Sequence, residues 1–168
     1  MNNPGTAYIA LGSNLEGPLG QLRRARQALA EVGEVVGASS LWRTTPVGGP
    51  PGQEAYLNAV VALKPTTDDP KRLLQQLLGL EAEQGRVRHL RWAARTLDLD
   101  LLAWGDRVCS SSNLTLPHPR MLERSFVLAP LCELTPVWRH PVTGARACTV
   151  LSELGLSGVT RTPLSWGD

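Results

Sequence analysis

Residues 96–101 read Thr-Leu-Asp-Leu-Asp-Leu, and no other stretch restricts the fold as tightly. Alternation at period two fits an extended strand, in which successive side chains leave on opposite faces and residues two apart share a face. Leu97, Leu99 and Leu101 are then expected in a core, while Asp98 and Asp100 emerge together on the other side, about 6–7 Å apart. Just upstream lie Arg86, Arg88, Arg91 and Arg95, with His89 and no acid among them. Such a loop repels itself unless it meets an anion. Arginine forks bind phosphate in bidentate fashion. Two neighbouring carboxylates can hold hard cations, either one shared or two about 3.5–4 Å apart, and magnesium completes its shell with water and substrate phosphate. Together the pattern fits a metal on one side of a polyphosphate and guanidinium groups on the other. A half-solvated strand with surface ion pairs worth ~0–1 kcal/mol shows the same alternation. Spacing alone therefore stops at a candidate metal–polyphosphate site.

The rest of the chain narrows the class. Its 168 residues are enough for one domain with a sizeable core, and one domain over residues 1–168 is expected. The apolar share of 42% and charged share of 19% belong to an ordered globular chain rather than a disordered one. A net charge of +2 argues against a general nucleic-acid coat. Cys109, Cys132 and Cys148 are odd in number and far apart with no C-x-x-C pair, which disfavours a zinc knuckle or disulfide framework and fits a reduced cytosol. No apolar run approaches the ~20 residues that span a bilayer. The opening MNNPGTAYIALGSN lacks a basic segment leading into a signal core. A complete cytoplasmic protein without membrane contact is the expectation. Neither the P-loop nor the G-x-G-x-x-G pattern occurs.

Along the chain, Tyr8-Ile9-Ala10-Leu11 reads as a buried strand closed by Gly12-Ser13-Asn14. From Pro18, Leu19, Leu22, Ala25, Leu29 and Val32 recur at helical spacing, and Gly33 is read as the stop. Residues 35–44 are predicted to form one strand, ending at the turn-rich TTPVGGPPGQ. Residues 56–63 give another strand. Asp69-Pro70 forms an N-cap and first turn for a helix carrying Leu73, Leu74, Leu77, Leu80 and Glu81 and ending near Gly85. The Leu-Asp strand then closes at Gly105-Asp106. This order, β-α-β-β-α-β, predicts an α+β, ferredoxin-like fold with both helices on one face of an antiparallel sheet. A C-terminal extension of short strands and helices follows. No role attaches to the final LGLSGVTRTPLSWGD, which is either packed or frayed.

Seven segments in order, AYIALGSN, RTTPVG, YLNAVVAL, LEAEQGRVR, RWAARTLDLDLL, LTLPHPRM and ERSFVLAPL, resemble the 6-hydroxymethyl-7,8-dihydropterin pyrophosphokinase family between Tyr8 and Leu131. The pairing of R-T-L-D-L-D with a downstream L-P-H-P is the most specific part. The resemblance implies an enzyme of folate biosynthesis that moves the β,γ-diphosphoryl group of ATP onto a reduced hydroxymethylpterin and releases AMP. It implies two Mg²⁺ ions on Asp98 and Asp100, with ATP as co-substrate and Arg86 and Arg95 engaging the reacting phosphates. Arg88 and Trp92 match a mobile catalytic loop over ATP. Thr115, His118 and Arg124 match nucleotide contacts, and Glu81 a nearby acid. For the pterin, Tyr56 and Phe126 resemble the rings that sandwich it, and Asn58 the side chain bonded to its edge. Backbone near Thr44 and Val47 completes that end. Asn113 stands where certain members carry an ATP-contacting arginine. A monomer is the family-like default. Flat heteroaromatics gain ~0.5–1.5 kcal/mol per stacked aromatic pair beyond area burial, which suits two rings for one pterin.

Two other classes fit parts of the pattern. A ferredoxin-like nucleic-acid module would use the arginine loop, but an aromatic share of 5% and the acid pair oppose it. An inactive pterin- or ATP-binding paralogue is motivated only by Asn113.

Overall fold

The apolar runs around Ile9 and Val60 become neighbouring strands at the centre of a sheet. The computed structural model describes residues 2–14, 17–45, 55–84 and 97–167. Residues 85–96 and 46–54, which hold Arg86, Arg88, Trp92, Arg95 and Val47, lie outside them. The described chain runs β1 (Ala7–Ser13), α1 (Pro18–Leu29), β2 (Gly33–Ala38), β3 (Trp42–Thr44), β4 (Tyr56–Pro65), α2 (Pro70–Glu83) and β5 (Asp98–Trp104). Then come β6 (Cys109–Ser110), β7 (Thr115–Leu116), a 3₁₀ turn (Met121–Glu123), α3 (Ser125–Leu134), α4 (Ala147–Leu154) and β8 (Val159–Arg161). Six strands form one antiparallel sheet in the order β5-β1-β4-β3-β8, with β2 also on β4, and β6 pairs with β7 as a separate ribbon. The architecture is mixed, with helices packed on an antiparallel sheet.

Alternation along the central strands sorts side chains into two cores. Ile9, Leu11, Val61, Leu63, Leu99 and Leu101 cluster with Leu22, Leu29, Leu73 and Leu77 of α1 and α2. Tyr8, Val60, Ala62, Leu102 and Ala103 cluster with Val127, Leu128 and Leu131 of α3 and with Ala147 of α4. Each fully buried leucine contributes about 1.5–3 kcal/mol of transfer energy. Helices thus cover both faces, not one. The prediction of one covered face followed the first two helices alone. The apolar set Tyr8, Val60 and Ala62 on the reverse face needed a cover, and α3 and α4 supply it.

Three local expectations change. The strand predicted over residues 35–44 is broken in two, with a register shift between Val35 and Gly37. Buried Ser39 fills the break, its N–H donating to the Val60 carbonyl and its Oγ accepting from the Val60 N–H. Gly33 opens β2 instead of stopping α1, which already ends at Leu29. A Cβ at Gly33 would stand 2.4 Å from the Lys64 carbonyl oxygen, so close strand approach is what demands glycine there. Cys132 and Cys148 form a disulfide between α3 and α4, against the expectation of unpaired thiols. The two are 16 residues apart in sequence, yet helix packing brings their Cα atoms to 5.4 Å, within bridging range. Cys109 is free. As predicted, the Asp69 side chain caps α2, accepting from Lys71 N.

The C-terminal segment is packed. β8 pairs with β3, Thr162 bonds the Leu41 carbonyl through both its N–H and its Oγ1, and the Trp166 indole N–H donates to the Ser39 carbonyl at 2.7 Å. Glu133 on α3 ties this edge together. Its carboxylate accepts from Ser40 N, Ser40 Oγ and Trp42 Nε1, and Arg161 of β8 lies 3.9 Å away. Burial alone would raise its pKa, but the hydrogen bonds from Ser40 and Trp42 and the Arg161 charge outweigh that and hold it below the usual range. A carboxylate depressed on folding stabilises fully above its unfolded pKa and loses that contribution as pH falls through the folded value. We therefore expect wild-type stability to decline below about pH 4.5. Glu133→Gln should flatten that decline in urea titrations at successive pH values, at a cost near neutrality of about 1 kcal/mol.

Candidate active site

Antiparallel partners put their side chains on the same face, so the ladder of the sheet writes the site out in rows. In one row Arg161, Trp42, Asn58, Gly12 and Asp98 stand opposite one another across β8, β3, β4, β1 and β5. In the next, Val159 of β8, Thr44 of β3 and Tyr56 of β4 align. On the other side, Asp100 is paired with Ala10. All three rows face the α3 side. The middle strand presents only Gly12 and Ala10 there, and that absence of bulk leaves a hollow.

The hollow is a cavity of about 660 Å³. Its floor carries Ala10, Gly12, Asn58, Asp98 and Asp100, and its rim carries Thr44, Tyr56, Arg120, Glu123, Arg124, Phe126, Ser157 and Val159. Asp98 and Asp100 thus open into one space from a single face of β5, as their spacing implied. Asn58 is buried and accepts at Oδ1 from Thr44 Oγ1 at 2.6 Å. That bond aims the amide. A Cβ on Gly12 would approach Asn58 Nδ2 to 2.9 Å, so the amide occupies the space a side chain would take. Arg124 sits with its Cζ 5.8 Å from the Phe126 ring centroid, a cation–π distance.

His118 follows the β6–β7 ribbon. Its backbone N–H donates to the Leu102 carbonyl at 2.7 Å, and its ring Nδ1 accepts from the Arg120 backbone N–H at 3.2 Å. Burial lowers the imidazole pKa below 6.5, the Asp100 carboxylate opposes the shift, and Arg124 and Arg120 add to it. A neutral ring whose Nδ1 accepts must carry its proton on Nε2, so His118 offers a neutral donor there.

Of the site residues predicted from sequence, Thr44, Tyr56, Asn58, Asp98, Asp100, Arg124 and Phe126 share the cavity. Thr115, in the short β6–β7 ribbon, is not on its wall, and neither is Glu81. Glu81 is buried on α2 and its Oε2 accepts from Leu99 N at 2.6 Å, clamping the strand that carries both aspartates. Asn113 is exposed in the turn between β6 and β7. Arg120, Glu123, Ser157 and Val159 were missed. Arg120 had a signal, since it directly follows the His118-Pro119 pair. Ser157 and Val159 had none, because nothing local says which strand a tail will join.

The model of the 7,8-dihydro-6-hydroxymethylpterin-pyrophosphokinase family matches residues 8–136. The chain belongs to that family. A Haemophilus influenzae 2-amino-4-hydroxy-6-hydroxymethyldihydropteridine pyrophosphokinase is 45% identical over 131 residues, covering 77% of this chain and 81% of its own. A Pseudomonas aeruginosa protein of the same name is 41% identical over 158 residues, covering 93% of this chain and 96% of its own. Among solved structures, wild-type Plasmodium falciparum HPPK-DHPS aligns with a TM-score of 0.74 at 14% identity. It covers 94% of this chain, which in turn spans only 46% of that longer one. At such identity the likeness is one of fold.

Gly12→Ala should leave the protein folded at a cost of about 1–3 kcal/mol, measured by urea unfolding, because Asn58 must give way. The side-chain amide resonance of Asn58 should shift in the same variant. An unmoved resonance would contradict the tight Gly12–Asn58 approach.

Proposed function

We propose that this cavity transfers the diphosphoryl group of ATP to the hydroxymethyl oxygen of 6-hydroxymethyl-7,8-dihydropterin, a step of folate biosynthesis that yields AMP and the pterin diphosphate. Membership in a family of pyrophosphokinases, with relatives of that name at 45% and 41% identity, supports the reaction class. The single observation that carries the assignment of place is the row linking Asp98, Gly12 and Asn58 across three adjacent strands. It sets paired carboxylates and an aimed amide at opposite ends of one hollow.

The pterin lies at the Thr44–Tyr56–Asn58–Phe126 end. Tyr56 and Phe126 stack on the bicycle, and the Asn58 amide bonds its edge. ATP lies toward Asp98, Asp100, Arg120 and Arg124, with the His118 Nε2–H donor and Thr115 on the nucleotide side. The pterin oxygen attacks the β-phosphorus in line. An O–P bond forms as the bond from the bridging oxygen to the β-phosphorus breaks, AMP leaves with that oxygen, and the hydroxyl proton is released. Catalysis is positioning and charge neutralisation rather than covalent chemistry. Arg86 and Arg95, outside the described residues, offset charge on the reacting phosphates, and Arg88 and Trp92 belong to the loop that covers ATP. Val47 adds backbone contact to the pterin. In place of a nucleotide contact we assign Glu81 the holding of β5.

Asp98 and Asp100 fit two Mg²⁺ ions in donor type and in their common face. Magnesium takes few protein carboxylates and fills its other positions with water and substrate phosphate, which a pair of aspartates can serve. When bound, such ions neutralise phosphate charge and orient the attacking and leaving oxygens. We read the strand order as ferredoxin-like with a C-terminal extension, in one domain over residues 1–168. We propose a cytoplasmic monomer, in keeping with ATP as co-substrate. It takes small-molecule substrates, without nucleic-acid or membrane partners. Among the described residues no helix is long and apolar enough to cross a membrane. In a reducing compartment Cys132 and Cys148 would be drawn toward thiols.

Asp98→Ala and Asp100→Ala should each keep the thermal transition but lower Mg²⁺-dependent AMP formation by on the order of 10²–10³-fold or more. Near-normal turnover in both variants would refute the metal assignment. Arg95→Ala should reduce kcat more than it raises the pterin KM, and a pure KM effect would contradict its role at the phosphates.

A further inference from the structure

The final 32 residues lie beyond the stretch matched by the family model, which ends at residue 136, yet one piece of them reaches the cavity. β8 extends the sheet past β3 in the very row that carries Thr44 and Tyr56, with Thr44 opposite Val159 and Trp42 opposite Arg161. The Thr45 N–H donates to the Gly158 carbonyl at 2.8 Å, so the chain just before β8 is held against the end of β3. Val159 is buried, and both Ser157 and Val159 form part of the cavity wall. Ser157 is exposed. Behind this wall Glu133 joins Ser40, Trp42 and Arg161, tying β3, β8 and α3 into one unit. Phe126 stands on the first turn of the same α3.

We propose that the 157–159 segment is the outer wall of the pterin end, with Ser157 a residue that limits which ring substituents the site accepts. This rests on the reading of Thr44, Tyr56, Asn58 and Phe126 as the pterin end. Register carries it. Val159, one strand beyond Thr44 on the same face, is the next surface a flat ligand meets after passing Tyr56 and Asn58, and Ser157, in the turn just before β8, lines the same cavity. Asp98 and Asp100 lie on β5, at the edge of the sheet opposite β8, so a change at Ser157 reaches the ring before it reaches the phosphates they hold. Val159 sets the wall's position by packing, and Ser157 sets its height.

Three full-length proteins test this: wild type, Ser157→Tyr and Ser157→Cys. Ser157→Tyr adds bulk at an exposed position and should fold with an unchanged thermal transition. Its KM for the hydroxymethyldihydropterin should rise about tenfold or more, with the ATP KM within about twofold of wild type. Ser157→Cys should react with a maleimide at a rate that saturating pterin slows by about tenfold or more and that ATP alone does not, since a residue under bound ligand is shielded. Parallel rises in both KM values, or an unchanged pterin KM with no protection of the thiol, would overturn the proposal. Absence of AMP formation by the wild type would instead sink the proposed reaction, which keeps the two failures distinct.

Discussion

The register of β1 between β4 and β5 is the constraint on which everything else depends. It sets Gly12 opposite both Asn58 and Asp98, and it sets Ala10 opposite Asp100. A slip of one residue would turn Ile9 and Leu11 out of the core and close the hollow with their side chains. Ile9 and Leu11, which cannot leave their core, thereby hold a glycine and an alanine in the cavity floor. Packing on one face of the sheet thus creates vacancy on the other.

Around that floor, buried or half-buried carboxylates act as fasteners. Glu81 accepts from Leu99 N and holds the start of β5, the strand that presents Asp98 and Asp100. Glu133 accepts from Ser40 and Trp42 and holds the β3 edge beside β8 and α3. One fastens the strand that carries Asp98 and Asp100 from beneath the sheet, and the other fastens the β3–β8 margin. Each gives a backbone N–H a carboxyl acceptor in place of water. Rigidity at both ends suits the proposed transfer, in which positioning rather than a covalent bond to the protein sets the rate.

Much of this was legible before any fold was known. The Leu-Asp alternation implied a strand with both acids on one face, and the helical spacing around Leu22 and Leu73 implied two helices on one core. Other features were hidden for identifiable reasons. Gly33 looks like a helix stop because the 2.4 Å approach that requires it involves Lys64, thirty-one residues away. Cys132 and Cys148 look unrelated because their meeting depends on how α3 and α4 pack. Glu81 looks like a ligand-facing acid because its bond to Leu99 crosses between a helix and a distant strand. In each case the deciding partner lies far along the chain.

What the amino-acid order determined by itself is local: periodicity, caps, turns, and the chemical kinds of group the chain can offer, among them two aspartates on one strand face and a fork-rich loop before them. Side-chain period and backbone sterics act over a few residues, so they can be read from a few residues. Only the tertiary structure decided that Asn58, Gly12 and Asp98 form one row, that a second pair of helices roofs the reverse face, and that the tail becomes the wall beside Thr44. Those outcomes follow from strand pairing and burial summed over the whole molecule, and no short stretch of sequence contains that sum.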